Sequence, residues 1–161
     1  MKIHLVVLVP IMVTSGILVR PHTVAEEPEP VSILPQLVRG YLEDRDSPLA
    51  PETNFLLEQK HWKLLIAISA IESQYCKRQL GNNCWGVGGD AAYRHYSSYR
   101  AAIVDANDLI EKWHKKGRWL TPEDMNCSYV QPCNPNWVRV VNKVLDKLGA
   151  YERQSTRTIY Q

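Results

Sequence analysis

One carboxylate ends the most apolar run of the chain outside its N-terminal segment. Residues 61–73 read HWKLLIAISAIES, and Glu72 is the only acidic residue among them. If the run is one helix, Glu72 shares an apolar face with Ile68 and Leu65, four and seven positions earlier. Burial on that face disfavours the charged form of a carboxyl and raises its pKa. Such a group still holds a proton near neutral pH, so Glu72 is a candidate general acid.

A purely structural role for Glu72 is also compatible with its position. A glutamate at a helix end can extend into solvent, or it can form an ion pair with Lys77 or Arg78 a few residues later. The surroundings of the side chain decide between a general acid and a surface residue.

A glycine-rich loop with amide and aromatic side chains follows the helix. Residues 82–89 read NNCWGVGG. Glycine lets the backbone approach a ligand closely, and Gly86 is the candidate for that contact. Asn82 and Asn83 supply amide donors and acceptors, and Trp85 supplies a flat apolar face. Beside a protonated carboxyl, this combination indicates a sugar-binding cleft rather than a metal or phosphate site.

The four cysteines, Cys76, Cys84, Cys127 and Cys133, fit an oxidising compartment and allow three pairings. We favour the local pairing, of Cys76 with Cys84 and of Cys127 with Cys133. The first bridge would tie the end of the Glu72 helix to the loop. A zinc site is disfavoured because the chain has no C-x-x-C and no histidine at ligand spacing beside either pair. No metal or organic cofactor is implied.

Helical patterns dominate the elements that must position these residues. Residues 51–59 start with a proline suited to a first turn, and residues 61–73 are apolar almost all round, as in a central buried helix. Residues 97–117 and 134–149 each carry an apolar stripe at helical spacing and stop at a glycine. Residues 85–99 allow at most a short β-hairpin. The predicted fold class is mainly α.

The N-terminal region has the order of a secretory signal. Residues 1–25 combine a basic start, an apolar stretch and small residues, so we expect a signal peptide cleaved after Ala25, or an uncleaved anchor. Residues 26–36 are rich in proline and glutamate and are predicted to be a linker. The folded domain is expected at residues 37–150, followed by a polar tail at residues 151–161. The protein would then work outside the cytoplasm, either secreted or membrane-anchored on the extracellular side.

Charge narrows the classes of partner. The net charge is +2, and basic and acidic residues are interspersed, so no basic stripe that would follow a phosphate backbone is visible. Nucleic acid is therefore not an expected partner. Membrane contact is expected only through an uncleaved N-terminal segment.

Five stretches, in order, resemble the bacterial glucosaminidase branch of the lysozyme-like superfamily, often described as a mannosyl-glycoprotein endo-beta-N-acetylglucosaminidase-like domain. Its most specific part is the Glu72-Ser73 pair ending an apolar helix, followed by Asn-Asn-x-aromatic-Gly. The stretches are residues 47–50, 64–77, 82–89, 96–106 and 129–145. The resemblance implies a monomeric lysozyme-like helical domain that cleaves β-1,4 bonds of peptidoglycan glycan strands. Glu72 would be its acid, and Ser73 would be near the substrate.

The second catalytic group is not evident in the sequence. A two-carboxylate glycosidase needs a partner acid about 5 to 9.5 Å away. Asp90 is the candidate base or nucleophile, with Glu123 and Asp124 as secondary candidates. The superfamily also includes enzymes that use one glutamate, through the N-acetyl group of the substrate or by forming an anhydro product. A hydrolase and a lytic transglycosylase therefore both remain open.

Several tyrosines are further candidates for the cleft. Tyr129 precedes the last helix, where the superfamily often has a tyrosine facing the cleft, and a core position next to the second disulfide is the alternative. Of Tyr93, Tyr96 and Tyr99, we expect one to contact sugar and the others to pack, and Tyr96 is our candidate. A non-catalytic lysozyme-like module that binds wall glycan or serves a structural role is the competing hypothesis for the whole chain. A cleft setting for Glu72 favours the enzyme, and an ion pair favours the binder.

Overall fold

The structure is a computed structural model that describes residues 32–88 and 92–159. The predicted signal peptide or anchor, most of the predicted linker, and Asp90 lie outside the described residues. In the described part of the chain, no helix is long and apolar enough to cross a membrane.

The fold is built around a short helix that is apolar on nearly all sides. Six α-helices and one 3₁₀ turn make up the described chain, and its only β pairings are the isolated bridges Leu80–Asn83 and Asn126–Val130. The mainly α prediction is therefore confirmed. In chain order the elements are α1 (Leu34–Glu43), the 3₁₀ turn (Ala50–Glu52), α2 (Thr53–Leu57), α3 (Trp62–Glu72), α4 (Tyr99–His114), α5 (Pro122–Met125) and α6 (Pro135–Ile159).

Helix α3 forms the centre of the core. Leu65, Ile66, Ala67 and Ile68 have no exposed surface. The most extensive contacts of α3 are with α6, whose apolar stripe includes the fully buried Leu148, and α4 covers another side. Burial of several such side chains, each contributing about 1.5–3 kcal/mol, fixes α3 in place. The acid at its C-terminal end is thereby held on a rigid support.

Capping interactions define the start of α4 and of α5. Ser98 caps α4 because its side chain accepts a hydrogen bond from the Ala101 amide, and Gly117 follows the helix with a positive φ of 67°. A capping box between Thr121 and Asp124 starts α5. These short-range signals define the segments that lead into the site.

Both predicted ends of the domain need correction. Helix α1 begins at Leu34, so the predicted linker of residues 26–36 ends too late. Helix α6 continues through Gly149 to Ile159, so the predicted loose tail of residues 151–161 is wrong up to that residue. Tertiary contacts explain the extension, since Ser155 is 4% exposed and its hydroxyl lies 2.8 Å from that of Ser32. Packing overrides the helix-stop signal of one glycine.

Both predicted disulfides are confirmed. Cys76 pairs with Cys84 and Cys127 pairs with Cys133, with sequence separations of 8 and 6 residues, and no cysteine is free. The first bridge joins the turn after α3 to the glycine-rich loop. The second closes the segment between α5 and α6, so the two segments that flank the end of α3 are both cross-linked.

Candidate active site

The carboxyl of Glu72 lies at an open cleft beyond the C-terminal end of α3. The cleft has a volume of about 510 Å³. Glu72 is the last residue of α3, and its side chain is exposed to the cleft rather than enclosed in the core. The cleft is lined by Glu72, Gly86, Tyr93, Ser128, Tyr129, Val130 and Gln131. It therefore combines one acid with hydroxyl, amide and aromatic groups, as polar ligands such as sugars require.

One oxygen of the Glu72 carboxyl is held by an indole. Trp137 Nε1 donates a hydrogen bond to Glu72 Oε1 at 2.7 Å, and the Trp137 ring is only 2% exposed. Oε2 has no hydrogen-bond partner among the described residues, and a Cβ placed on Gly86 would lie 3.7 Å from it. The second oxygen thus faces the cleft, next to the loop backbone.

The predicted ion-pair alternative for Glu72 is not present. Neither Lys77 nor Arg78 forms an ion pair with it; both belong to the described residues. Among the described residues, no cation forms an ion pair with the Glu72 carboxylate.

The pKa of Glu72 is raised above its usual value. Desolvation by the surrounding protein raises the pKa, and the hydrogen bond from Trp137 offsets part of that effect by stabilising the carboxylate. Although the side chain is exposed at the cleft mouth, its carboxyl sits against aromatic groups rather than in open water. Glu72 is therefore poised to keep a proton at a higher pH than an ordinary surface glutamate does.

An aromatic floor supports the acid. The ring of Tyr129 lies 5.7 Å from that of Trp137 and 5.3 Å from that of Trp119. Tyr129 donates its hydroxyl proton to the Trp85 carbonyl oxygen. Burial, and then the charge of Glu72, raise the pKa of Tyr129, so the phenol stays neutral. Tyr129 lines the cleft, and its hydroxyl is bonded to the loop backbone and not to the acid.

Trp85 is not placed as a sugar platform. Its side chain is 1% exposed, and its Nε1 donates to the Leu65 carbonyl oxygen at 2.8 Å. The ring thus packs on α3 inside the core, and its flat face is unavailable to a ligand in the cleft. The predicted contact between Trp85 and substrate is wrong, because an aromatic side chain of this size gains more from burial than from exposure on a loop.

Asn83 and Ser73 organise the loop instead of facing the cleft. Asn83 is 1% exposed; its Nδ2 donates to the carbonyl oxygens of Val87 and Arg94 at 2.9 and 3.0 Å, and its Oδ1 accepts from the Val87 amide at 3.0 Å. Ser73 is 3% exposed and donates to the Cys84 carbonyl oxygen at 2.8 Å. Both predicted substrate contacts are corrected, since these polar groups are used to satisfy the loop backbone.

The predicted substrate contacts of Tyr96 and Asn82 are also wrong. Tyr93 lines the cleft, whereas Tyr96 does not and donates its hydroxyl to Asp105 Oδ2 at 2.5 Å. Asn82 lies outside the cleft lining and donates to the Tyr96 carbonyl oxygen at 2.8 Å. Asn82 and Tyr96 together fasten the loop to the segment that leads into α4. Of the predicted substrate-binding residues, Gly86 is the one that borders the cleft.

Glu72 is the only acidic residue that lines the cleft within the described part of the chain. Glu123 accepts a hydrogen bond from Asn142 at 2.7 Å, and Asp124 is engaged in the capping box of α5. Neither secondary candidate lines the cleft. Asp90 belongs to the residues outside the description, so its role stays a prediction.

The residues missed by sequence reasoning come from distant segments. Trp137 lies 65 positions after Glu72. In the sequence it is indistinguishable from the other apolar residues that form the buried stripe of α6. Ser128, Val130 and Gln131 belong to a segment without regular helix or strand beside the second disulfide. In the sequence, these three residues could have been identified only as neighbours of Tyr129, a residue that the resemblance suggested near the cleft.

The role of Asn83 leads to a stability prediction. We expect Asn83→Ala to lower the free energy of unfolding by about 2–4 kcal/mol, because several buried backbone groups lose their partners. Chemical denaturation of the purified protein measures this. Asn54→Ala, at an exposed position of α2, is the matched control and should change stability by no more than about 0.5 kcal/mol. Equal effects of the two substitutions would contradict the loop-organising role.

No group of three or more histidine, cysteine or acidic side chains suited to a metal ion is found among the described residues. The two cysteine pairs are engaged in disulfides, so they offer no thiolate ligands. In comparisons with known proteins, no protein-family model, no curated protein and no solved structure matches this chain.

Proposed function

We propose that this protein is an exported glycosidase that cleaves β-1,4 bonds of peptidoglycan glycan, with Glu72 as general acid. The observation that carries the proposal is the setting of Glu72: one oxygen is fixed by Trp137, the other faces an open cleft, and the pKa is raised. The sequence resemblance of residues 40–148 to bacterial glucosaminidases adds the substrate class. The two disulfides favour an oxidising compartment, in agreement with export.

In the proposed reaction, Glu72 donates its proton to the glycosidic oxygen as the bond to the sugar lengthens. Positive charge develops on the sugar ring in an oxocarbenium-like transition state. The carboxylate left on Glu72 is then stabilised by the Trp137 N–H, which is already in place before the reaction. A fixed donor avoids the cost of reorienting a group during the proton transfer.

The second step is open to two routes. With one acid lining the described cleft, the N-acetyl group of the substrate can attack the anomeric carbon, and water then gives a reducing end. Alternatively, a hydroxyl of the same sugar attacks and gives an anhydro end. Tyr93 and Tyr129 border the space beside Glu72 where that sugar would lie.

The function is tested by incubating the full chain with purified peptidoglycan and analysing the soluble fraction by mass spectrometry. We expect glycan fragments with newly formed ends. Reducing ends would identify a hydrolase, and anhydro ends a lytic transglycosylase. Binding to the polymer without any new chain end would overturn the proposal and favour a non-catalytic glycan-binding module.

The indole contact predicts a shift in pH dependence. Trp137→Phe keeps an aromatic ring but removes the donor that stabilises the Glu72 carboxylate, so the pKa of Glu72 rises further. Because the protonated form is the active acid, the alkaline limb of the activity profile should move to higher pH. Fragment release measured across pH tests this, and an unchanged or lower midpoint would contradict the role of Trp137. Trp62→Phe, which alters a buried indole at the other end of α3, is the control and should leave the midpoint in place.

A further inference from the structure

A basic groove lies beside the proposed active site, between α1, the turn after α3, and α6. Its volume is about 450 Å³. Cationic side chains and two tyrosines dominate its walls, and no acidic residue lines it among those described. The lining residues are Tyr41, Arg45, Tyr75, Arg139, Val140, Lys143, Val144 and Lys147. We call this cavity the basic groove.

Three of the cations form a regular row along α6. Arg139, Lys143 and Lys147 are exposed and separated by four residues each. Since a helix rises 1.5 Å per residue, successive members of the row are about 6 Å apart along the axis. Arg45 faces the groove from the end of α1. The groove therefore presents a line of positive charge with a short repeat.

These four cations are not neutralised by the protein itself. None of them forms an ion pair within the part of the chain that the structure describes. Some of the other surface cations are paired with carboxylates, namely Lys60, Lys63, Arg94, Arg100 and Lys115. The lining of the groove therefore carries four positive charges and no negative charge among the described residues. An uncompensated row of this kind attracts an anion.

The floor of the groove is fixed by a tyrosine pair. The hydroxyl oxygens of Tyr41 and Tyr75 lie 2.9 Å apart, and the Arg45 guanidinium lies 3.6 Å from the centre of the Tyr41 ring. Tyr75 is held there by a turn in which three successive residues, 74–76, have positive φ angles. This conformation is rare for residues other than glycine and costs free energy. Arg45 is thereby oriented in advance of any ligand.

We propose that the basic groove binds a linear phosphodiester polymer that carries no bases. A row of cations about 6 Å apart suits a chain with closely repeated phosphate charges. Single-stranded nucleic acid also has such charges, but its binding relies on exposed aromatic rings that stack on bases. Here Tyr41 is 4% exposed, its face is covered by Arg45, and Tyr75 packs edge-on against it. Arg45 also lies 5.3 Å from the centre of the Tyr75 ring. Recognition in the groove is therefore expected to depend on charge rather than on stacking.

The groove lies close to the proposed catalytic acid but does not depend on its chemistry. Tyr75 follows Glu72 by three residues, so their Cα atoms are at most about 11 Å apart. A polymer bound in the groove would hold the protein at the surface to which the polymer is attached. The cleft at Glu72 would stay open for substrate. The inference rests on the four cations and the tyrosine pair, so it stands or fails separately from the proposed glycosidase activity.

The test compares two double variants of the full chain. K143Q/K147Q removes two charges of the row. K112Q/K116Q removes two exposed lysines with the same sequence spacing, one in the last turn of α4 and one in the turn that follows it. Binding of poly(glycerol phosphate) is measured by calorimetry at several salt concentrations. We expect K143Q/K147Q to weaken binding about tenfold at low salt and to reduce the slope of log K against log salt by about 1.4. The K112Q/K116Q variant should stay within about twofold of the parent chain.

Three outcomes would overturn the proposal. The first is equal weakening by both double variants, which would indicate general charge attraction. The second is binding of oligothymidylate as tight as that of poly(glycerol phosphate), which would indicate a nucleic-acid site. The third is binding of inorganic phosphate as tight as that of the polymer, which would indicate a site for a single anion. Circular dichroism verifies that each variant is folded.

Discussion

Glu72→Gln is expected to slow release of peptidoglycan fragments by roughly 10²- to 10⁴-fold, the usual contribution of a positioned general acid. The amide matches the carboxyl in shape and can still accept the hydrogen bond from Trp137, but it has no proton to transfer to the leaving group. The rate of fragment release at saturating substrate measures the effect. Glu123→Gln, at an acid that is bonded to Asn142 outside the cleft, is the matched control and should keep full activity.

The same variant should not be less stable than the parent protein at pH 7. The pKa of Glu72 is higher in the folded protein than in the unfolded chain, so ionisation of this group disfavours the folded state. Its contribution to stability is present at low pH and is lost as the pH rises through the folded-state pKa. The glutamine amide does not ionise, so the variant avoids this loss of stability at pH 7. Undiminished activity of Glu72→Gln, or a loss explained by unfolding, would contradict the assignment.

Trp85→Ala is expected to lower the free energy of unfolding by about 3–5 kcal/mol, the typical cost of deleting a buried tryptophan side chain. The ring is 1% exposed and bonded to Leu65, and the Trp85 carbonyl oxygen accepts the Tyr129 hydroxyl. A cavity at this position should therefore loosen both α3 and the cleft. Small globular domains have total stabilities of about 5–15 kcal/mol, so this one substitution would remove a large share of the free energy of unfolding.

Thermal and chemical unfolding measure this loss. Leu120→Ala, at a side chain that is 59% exposed, is the control and should change stability by about 0.5 kcal/mol or less. If Trp85 instead stacked on a sugar, its substitution would weaken glycan binding and leave unfolding unchanged. That result would contradict the core role of Trp85 and support the sugar contact predicted from the loop sequence.

The acid and its helix were predictable because the information is local. The apolar run of residues 61–73 has no polar face, so its burial follows from hydrophobicity alone. The acid at its end is then placed at the edge of the core. The disulfides Cys76–Cys84 and Cys127–Cys133 are local as well and were anticipated. Both features depend on short sequence distances.

The rest of the site depends on tertiary contacts that a pattern does not contain. Trp137 could be assigned to a buried stripe, but the direction of its N–H toward Glu72 depends on how α6 crosses α3. Asn83 and Trp85 have side chains of the types that bind sugars. Instead, Asn83 bonds to the loop backbone and Trp85 packs in the core, and both are buried. Whether a polar side chain serves the backbone or a ligand depends on burial, which the loop sequence did not reveal.

The central claim, that Glu72 holds its proton because it sits in a partly desolvated cleft, is tested most directly by titrating its carboxyl. The full chain labelled with ¹³C at the glutamate side-chain carboxyl is followed by NMR across pH, and the Glu72 signal is identified by its absence in Glu72→Gln. We predict a midpoint clearly above the ordinary glutamate value of about 4.3, and a still higher midpoint in Trp137→Phe. A midpoint at or below that ordinary value would contradict the account.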